Sequence, residues 1–437
     1  MLFPNSFLLL LLCVLFFLSN PLFSDDQNNQ IDVESLLTGE LTISEECKSY
    51  INSLSSQVGD KISDKELFNA ISASHLRRSL TIENDTLAGQ DDDRHYTNGV
   101  KLTWIHSPCR VQNEWTRGIA KKIFKFTSIF NDALYRSTDS MESNSQSMFV
   151  GGVFGMNMYT PNDLSIRDRI IEDRPYAGWL YGGFSVQSIS YPTKSSDAIA
   201  FNLKSLELQI GVVGPMAAQE RFQTWIHDDV GSSTIPRGWD NQIDNRPGVS
   251  LLFEDKMVFP KPLSERLKNF IAHSPHWGFN VGNISNYINA GYTFSLSRDM
   301  FYFPSSTIAP SSSILSQSSA SFNDLFISNE AQNENGENIN PFYNMSDGYA
   351  YSFFVGFDGR LYASNIFIEG EGDSEHDIDL EPFVYDLYAG AAYSNTWFDT
   401  KFTISYKFIR RSEEFSTTIS SYNKPHNIGH LNFEWAF

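Results

Sequence analysis

The sequence predicts an all-β chain, a twelve-stranded antiparallel outer-membrane β-barrel with a short helix in an extracellular loop. Three observations carry that reading. In the stretch from Ser79 to Ser107, Leu80 and Ile82 share one strand face while Thr81, Glu83 and Asp85 share the other. The return strand sets Val100, Leu102 and Trp104 against Thr97, Gly99, Lys101 and Thr103. Aromatics make up 14% of the chain, with 35 Phe and 19 Tyr, and these residues are both strand formers and the material of interfacial girdles. Finally, Leu431, Phe433, Trp435 and Phe437 alternate with His430, Asn432, Glu434 and Ala436, so the sequence stops on an aromatic side chain.

The hairpin alone fits a soluble sheet, whose apolar face meets a core, as well as a barrel, whose apolar face meets lipid. The final strand favours the barrel, because a terminal amphipathic strand closing on Phe resembles the carboxy-terminal signal of bacterial outer-membrane barrels.

The elements follow in order. Residues 1–24 contain an apolar run, Phe7 to Leu18, that is too short for a spanning helix and is followed by the small residue Ser24 before acid, so they read as a secretory signal peptide. Residues 25–78 are polar and read as a periplasmic extension, with residues 79–437 forming the barrel. No later segment approaches the roughly 18 continuous apolar residues of a spanning helix, which leaves strands as the only spanning elements.

Candidate strands run over Ser79–Thr86, Thr97–His106, Ser147–Met158, Tyr176–Tyr191, Leu203–Val213, Gly248–Phe259, His276–Gly282, Ile288–Arg298, Gly348–Ile366, Glu381–Trp397, Lys401–Arg411 and Asn427–Phe437. Their even number brings both ends of the barrel to the periplasm. Strand parity then puts insertions at about 110–146 and 304–347 on the periplasmic side. Three polar loops, Leu87–Tyr96, Tyr159–Pro175 and Gly214–Pro247, fall on the outer side. In the third loop, Ala217 to Asp229 has no helix breaker and reads as a helix.

The net charge of -20, from 52 acids against 32 Lys and Arg, argues against nucleic acid as a partner, since phosphates need a basic surface. Cations are nevertheless concentrated locally. Arg94, Arg167, Arg169, Arg174, Arg221, Arg237 and Arg246 all sit in or beside the three outer loops, where an anionic lipid would meet them. Of the three cysteines, Cys13 leaves with the signal. Cys47 and Cys109 fall at the periplasmic end in an oxidising compartment and are expected to pair.

One pair of residues suggests chemistry. Gln223 and His227, four apart, share a face of the loop helix, and His is the side chain best suited to base catalysis near neutral pH. A His beside two Asp on an exposed helix is by itself ordinary surface.

The ordered set "ENDTLAGQDDDRHYTNG", "YTPNDL", "DRPYAGWLYGG", "GVVGPMAAQERFQTWIH", "GWDNQIDNRPG" and "FEWAF" resembles the outer-membrane lipid A 3'-O-deacylase family, from about Ser79 to Phe437. The resemblance implies a twelve-stranded barrel in the bacterial outer membrane that removes the 3'-linked acyloxyacyl chain of lipid A, with calcium dependence and a site at the outer leaflet. It assigns catalysis to His227, to the pair Asn84 and Asp85, and to Thr97. A water polarised by neutral His227 would attack the ester carbon. Calcium would hold the oxyanion, with Asp85 as a hard oxygen ligand and Glu83 as a second.

Two positions depart from the family pattern. Its Lys falls on Ile166, so Arg167 or Arg169 would take over the phosphate contact, alongside Gln223 as a substrate-binding residue. An acidic residue expected after the His falls on Ser233, leaving Asp228 or Asp229 as replacements. "RPYAGWLYGG" reads as architecture, with Tyr176, Trp179 and Tyr181 anchoring the membrane interface and Gly178 and Gly182 allowing close packing. A phospholipase, or a catalytically silent barrel with a structural or adhesive role, would use the same lipid surface. The oligomeric state is left open.

Overall fold

Twelve strands close into one antiparallel barrel in the computed structural model, which describes residues 77–89, 95–106, 145–191, 201–230, 235–264, 269–298, 349–370, 377–397, 400–419, 421–422 and 424–436, with Lys122, Met300, Tyr302 and Pro304. The barrel strands are β1 (Arg77–Asn84), β2 (His95–His106), β3 (Ser145–Thr160), β4 (Ala177–Tyr191), β5 (Phe201–Val213), β6 (Arg246–Ser264), β7 (Asn269–Gly282), β8 (Ser285–Arg298), β9 (Ala350–Asn365), β11 (Phe383–Trp397), β12 (Thr400–Arg411) and β14 (His426–Ala436). Two short strands, β10 (Ile378–Leu380) and β13 (Phe415–Thr417), pair with each other outside the barrel. Each barrel strand pairs with its neighbours along the chain, and β14 closes on β1 with Asn84 opposite Gly429.

All twelve expected strands are present. The β6–β7 hairpin runs several residues further than its alternation suggested, because Pro260, Pro262 and Pro275, which argue against a strand when read alone, sit inside the paired region. The signal peptide, nearly all of the amino-terminal extension, most of both insertions, Cys47, Cys109 and Phe437 lie outside the described residues.

The orientation of the side chains decides between sheet and barrel. Outward positions are apolar and bare, with Phe184 at 63%, Ile288 at 60% and Phe353 at 55% exposure. Inward positions are polar and buried, among them Thr81, Lys101, Glu207, Lys256, Asp358, Arg360 and Asp386. A soluble sandwich has the reverse arrangement, so the apolar band faces lipid. No helix among the described residues is long and apolar enough to cross a membrane, and the strands do the crossing.

Charges inside the lumen survive burial because they are paired. Lys101 Nζ lies 2.8 Å from Glu207, and His276 Nε2 lies 3.0 Å from Asp358. Arg360 and Arg411 both hold Asp386.

Inward aromatics fit against inward glycines. A Cβ on Gly99 would fall 1.8 Å from the Tyr96 hydroxyl, one on Gly155 2.4 Å from the Tyr181 hydroxyl, and one on Gly248 2.2 Å from the Trp179 ring. This corrects the expectation of an interfacial anchor: Tyr176, Trp179 and Tyr181 are all buried, and Trp179 stacks on Tyr181 at 5.5 Å between centroids.

Beyond β8, Tyr302 and Pro304 meet side chains of the lumen. Tyr302 shares a 2.7 Å hydrogen bond with Ser405 and packs on Phe354, and Lys256 Nζ donates to the Pro304 carbonyl at 2.8 Å.

Candidate active site

The three polar loops lie together at one mouth of the barrel, at the ends of β1, β3 and β5. At the end of β1, Asp85 caps a single 3-10 turn, Thr86–Ala88. The Thr86 N–H donates to Asp85 Oδ1 at 2.8 Å and to Asn84 Oδ1 at 2.7 Å. Gly89 ends the turn at φ +77°, a left-handed conformation that favours glycine. Residues Asp85 to Gly89 thus form a self-capped turn, and Asn84 Nδ2 ties it to β2 by donating to the Thr97 carbonyl at 3.0 Å.

Thr97 owes its position to a β-bulge. Tyr96 pairs with Tyr159 and Asn98 with Met158, which leaves Thr97 as the extra residue on β2. A bulge re-aims side chains, and the Thr97 hydroxyl shares a 2.5 Å hydrogen bond with that of Thr160. By the period of two, Asn84, Met158, Thr160 and Gly178 lie on the same wall face as Ile82, Phe154 and Phe184. That face is the lipid-facing one.

The helix α1 (Gln219–Val230) leans on this outer wall. It follows a 3-10 turn, Pro215–Ala217, and Ala218 at φ +59° redirects the chain between the two. Gly178 allows the contact, because a Cβ there would lie 2.4 Å from Gln219 Cγ. Gln223 is buried, and its Oε1 accepts from Trp239 Nε1 at 2.8 Å. Its Nε2 has no hydrogen-bond partner, and neither polar atom of the buried Gln219 has one.

Behind the helix, Met158, Leu164, Tyr176 and Trp239 form a buried cluster against which Phe222 packs. Burial there pushes the Tyr176 phenol up. The returning segment is laced to the neighbouring loop, with Arg237 N–H on the Leu164 carbonyl at 2.9 Å and Ile243 N–H on the Tyr176 carbonyl at 3.0 Å. Gln242 and Asn245 order the loop by bonding the Trp239 carbonyl and the Met216 N–H.

His227 lies in α1 one turn beyond Gln223, and its side chain lies outside the described residues. The loops thus pack the start of α1 against the lipid-facing wall at the outer rim.

The structure does not bring every expected residue to this contact. Arg167 is 76% exposed and pairs with the exposed Asp240 at 3.0 Å, a surface ion pair of little energetic weight. Arg169 sits partly exposed on the same loop.

Glu83 lies apart from the turn that Asp85 caps. It faces the lumen, where it accepts from the Tyr96 hydroxyl at 2.6 Å and lies 2.8 Å from His430 Nδ1. Its carboxylate is committed there, and Asp85 spends an oxygen on its cap. Calcium takes roughly six to eight oxygen ligands. No group of three or more His, Cys, Asp or Glu among the described residues could hold a metal ion. The described side chains do not fit a calcium ion at Glu83 and Asp85.

An alternating chain of buried ions also reaches the mouth, and the sequence reading missed it. Asp358, Arg360, Asp386, Arg411, Glu414 and Arg174 follow one another from the lumen to the "DRPY" element. Arg174 Nε and Nη2 both donate to the carbonyl of Phe367, and its guanidinium lies 4.9 Å from the Tyr159 ring centroid. Phe367 belongs to a single-turn helix, α2 (Ile366–Glu369), and stacks on Tyr159 at 4.1 Å. The sequence marked Arg174 as a motif residue and one of the loop cations. Nothing local tied it to Glu414, 240 residues away. His95 also went unread. It is buried at φ +66° with its ring against Phe415 and His426.

Burial would raise the Glu414 carboxyl, but Arg411 and Arg174 outweigh it and hold the group at about 2. The folded value is depressed, so this link contributes stability above the ordinary glutamate value of about 4.3 and loses it as pH falls toward about 2. Glu414→Gln is expected to weaken the mouth by about 3 to 5 kcal/mol at neutral pH, because two buried guanidinium groups lose a counter-charge. Hydrogen exchange should rise in residues 366–370 and 412–419 and stay constant in β4 to β8. Unchanged exchange at the mouth would show that the link is idle.

These features define an integral outer-membrane barrel with a loop helix packed on the lipid-facing side of its outer rim. The chain belongs to the outer membrane protein LpxR family, which it matches over residues 51–437, the lipid A 3'-O-deacylase family that its motifs resemble. Among solved structures it is similar to LpxR from Salmonella typhimurium at 16% identity, over 83% of this chain and 100% of that one, with a TM-score of 0.53. It is also similar to the beta domain of the Bordetella autotransporter BrkA at 8% identity, over 84% of this chain and 100% of that one, with a TM-score of 0.34. No match is found among curated proteins.

Proposed function

We propose that the chain is an outer-membrane hydrolase that removes the 3'-linked acyloxyacyl chain of lipid A, with His227 as general base. The observation that carries this reading is an unsatisfied amide beside the expected base. On the lipid-facing rim of an LpxR-family barrel, a buried amide N–H of Gln223 is left without a partner one helical turn before a His. A lipid reaches that place sideways from the outer leaflet, without entering the lumen.

In this mechanism neutral His227 takes a proton from water as the oxygen attacks the ester carbon. Gln223 Nε2 donates to the oxyanion that forms. Collapse expels the sugar alkoxide, which receives the proton back from His227, and the acid leaves as the fatty carboxylate. Asn84 holds the bulge that presents Thr97, and Asp85 holds the turn that presents Asn84. Arg167 and Arg169, on the rim, meet a phosphate of the headgroup. No step runs through calcium, which the described side chains do not fit.

The test is mass spectrometry of lipid A incubated with the purified barrel, with and without chelator. Loss of one acyloxyacyl chain supports the proposal, and persistence of activity in chelator supports the metal-free steps. Activity lost in chelator and restored by calcium would place ligands on other residues. Release of fatty acid from phospholipid but not from lipid A would make the chain a phospholipase, and action on neither would make it a silent barrel.

A further inference from the structure

We infer that Gln219 is a substrate-positioning residue, whose carboxamide hydrogen-bonds a donor-and-acceptor group, a secondary amide or a hydroxyl, on an acyl chain beside the ester to be cut. This rests on the lipid hydrolase reading above.

Gln219 is 2% exposed, and both its Nε2 and its Oε1 lack a hydrogen-bond partner. A buried carboxamide with nothing to bond has lost its hydration without return, so native structures rarely keep one. Its surroundings offer no compensation. Gly178 lies against its base, and one turn on Gln223 bonds Trp239 of the mostly apolar cluster with Met158, Leu164 and Tyr176. Packing alone would be served as well by Leu or Met.

Gln219 is the first residue of α1, where a side chain that only capped the helix would accept from a first-turn N–H. It accepts from none. Its spacing is that of a site. Gln219, Gln223 and His227 recur every four residues and so share one helix stripe. Two consecutive members of that stripe carry unsatisfied buried amide groups. Gln219 offers two N–H donors and one carbonyl acceptor, so a ligand that satisfies both ends must itself donate and accept. A simple ester cannot, whereas an amide-linked or hydroxylated acyl chain can.

The experiment compares wild type with Gln219→Met, which keeps length and removes hydrogen bonding. Three lipids are used: lipid A, a glucosamine lipid with amide-linked unhydroxylated chains, and an ester-only phospholipid. For lipid A, KM is expected to rise about tenfold, the effect of one lost hydrogen-bonding group, with kcat nearly unchanged. Dissociation constants from native mass spectrometry should rise alike. The phospholipid should bind both proteins equally. Loss on the glucosamine lipid as well assigns the amide as partner, and loss on lipid A alone assigns the hydroxyl.

Equal KM and equal binding of lipid A by the two proteins would overturn the inference, as would a loss that extends equally to the phospholipid. If wild type hydrolyses no lipid, the catalytic reading fails while the binding comparison still decides the role of Gln219. Should Gln219→Met not assemble, Gly178→Ala displaces the same amide, because the new carbon would fall 2.4 Å from Gln219 Cγ. It is expected to give the same rise in KM, and an unchanged KM would count against the inference.

Discussion

Replacing His227 with Ala is expected to leave the barrel assembled and to lower lipid A deacylation about 10²- to 10⁴-fold, the usual contribution of a general base. Assembly should survive because α1 stands on the outside of the wall, and the barrel closes through strand pairs that α1 does not join. The loss should fall on kcat, since a base acts on the proton in flight and not on the bound lipid. Gln223→Leu removes the donor to the oxyanion and should also reduce kcat. It breaks the Trp239 bond as well, so it should loosen the loop where His227→Ala does not. Heat-modifiable migration in gels reports assembly, and mass spectrometry of lipid A reports rate. An assembled His227→Ala protein that deacylates at the wild-type rate would remove His227 from the chemistry.

The barrel was legible because its signals are local. Alternation along β1 and β2 already separated Thr81 and Glu83 from Leu80 and Ile82, and parity put the three polar loops at one mouth. What alternation could not say was which face looks inward, and that came from the exposed Phe184 and Phe353 set against the buried Asp358 and Arg360.

The site was legible only in part, because its geometry depends on exceptions to the period. The bulge at Thr97 adds one residue to β2, and the contact between Gly178 and Gln219 joins a strand to a distant helix. The sequence placed Glu83 beside Asp85 by spacing. Pairing with β14 gave it a partner, His430, 347 residues away, which no local pattern could show. For the same reason Trp179 looked like an interfacial anchor. The glycine that receives its ring, Gly248, lies on another strand.

The ion chain through the lumen leads to the other large expected effect. Asp386 lies on β11, and its carboxylate takes Arg360 Nη2, Arg411 Nε at 2.9 Å and Arg411 Nη2 at 3.1 Å. Asp386→Leu is expected to destabilise the barrel by about 3 to 5 kcal/mol, since breaking a buried pair from one side leaves an uncompensated charge. Arg360 retains Asp358, and Arg411 retains Glu414. The cost should therefore fall mainly on the contact between β11 and β12. Adding Arg411→Leu should restore part of the loss, because a buried pair replaced from both sides by apolar groups is often neutral. The restoration should be incomplete, since Glu414 would then keep only Arg174 of its two cations. Urea titration in lipid vesicles measures wild type, each single variant (Asp386→Leu and Arg411→Leu) and the double. A double variant no more stable than Asp386→Leu would show that the two side chains are not coupled, and that the barrel owes its rigidity to the strand ladder and not to the ions it encloses.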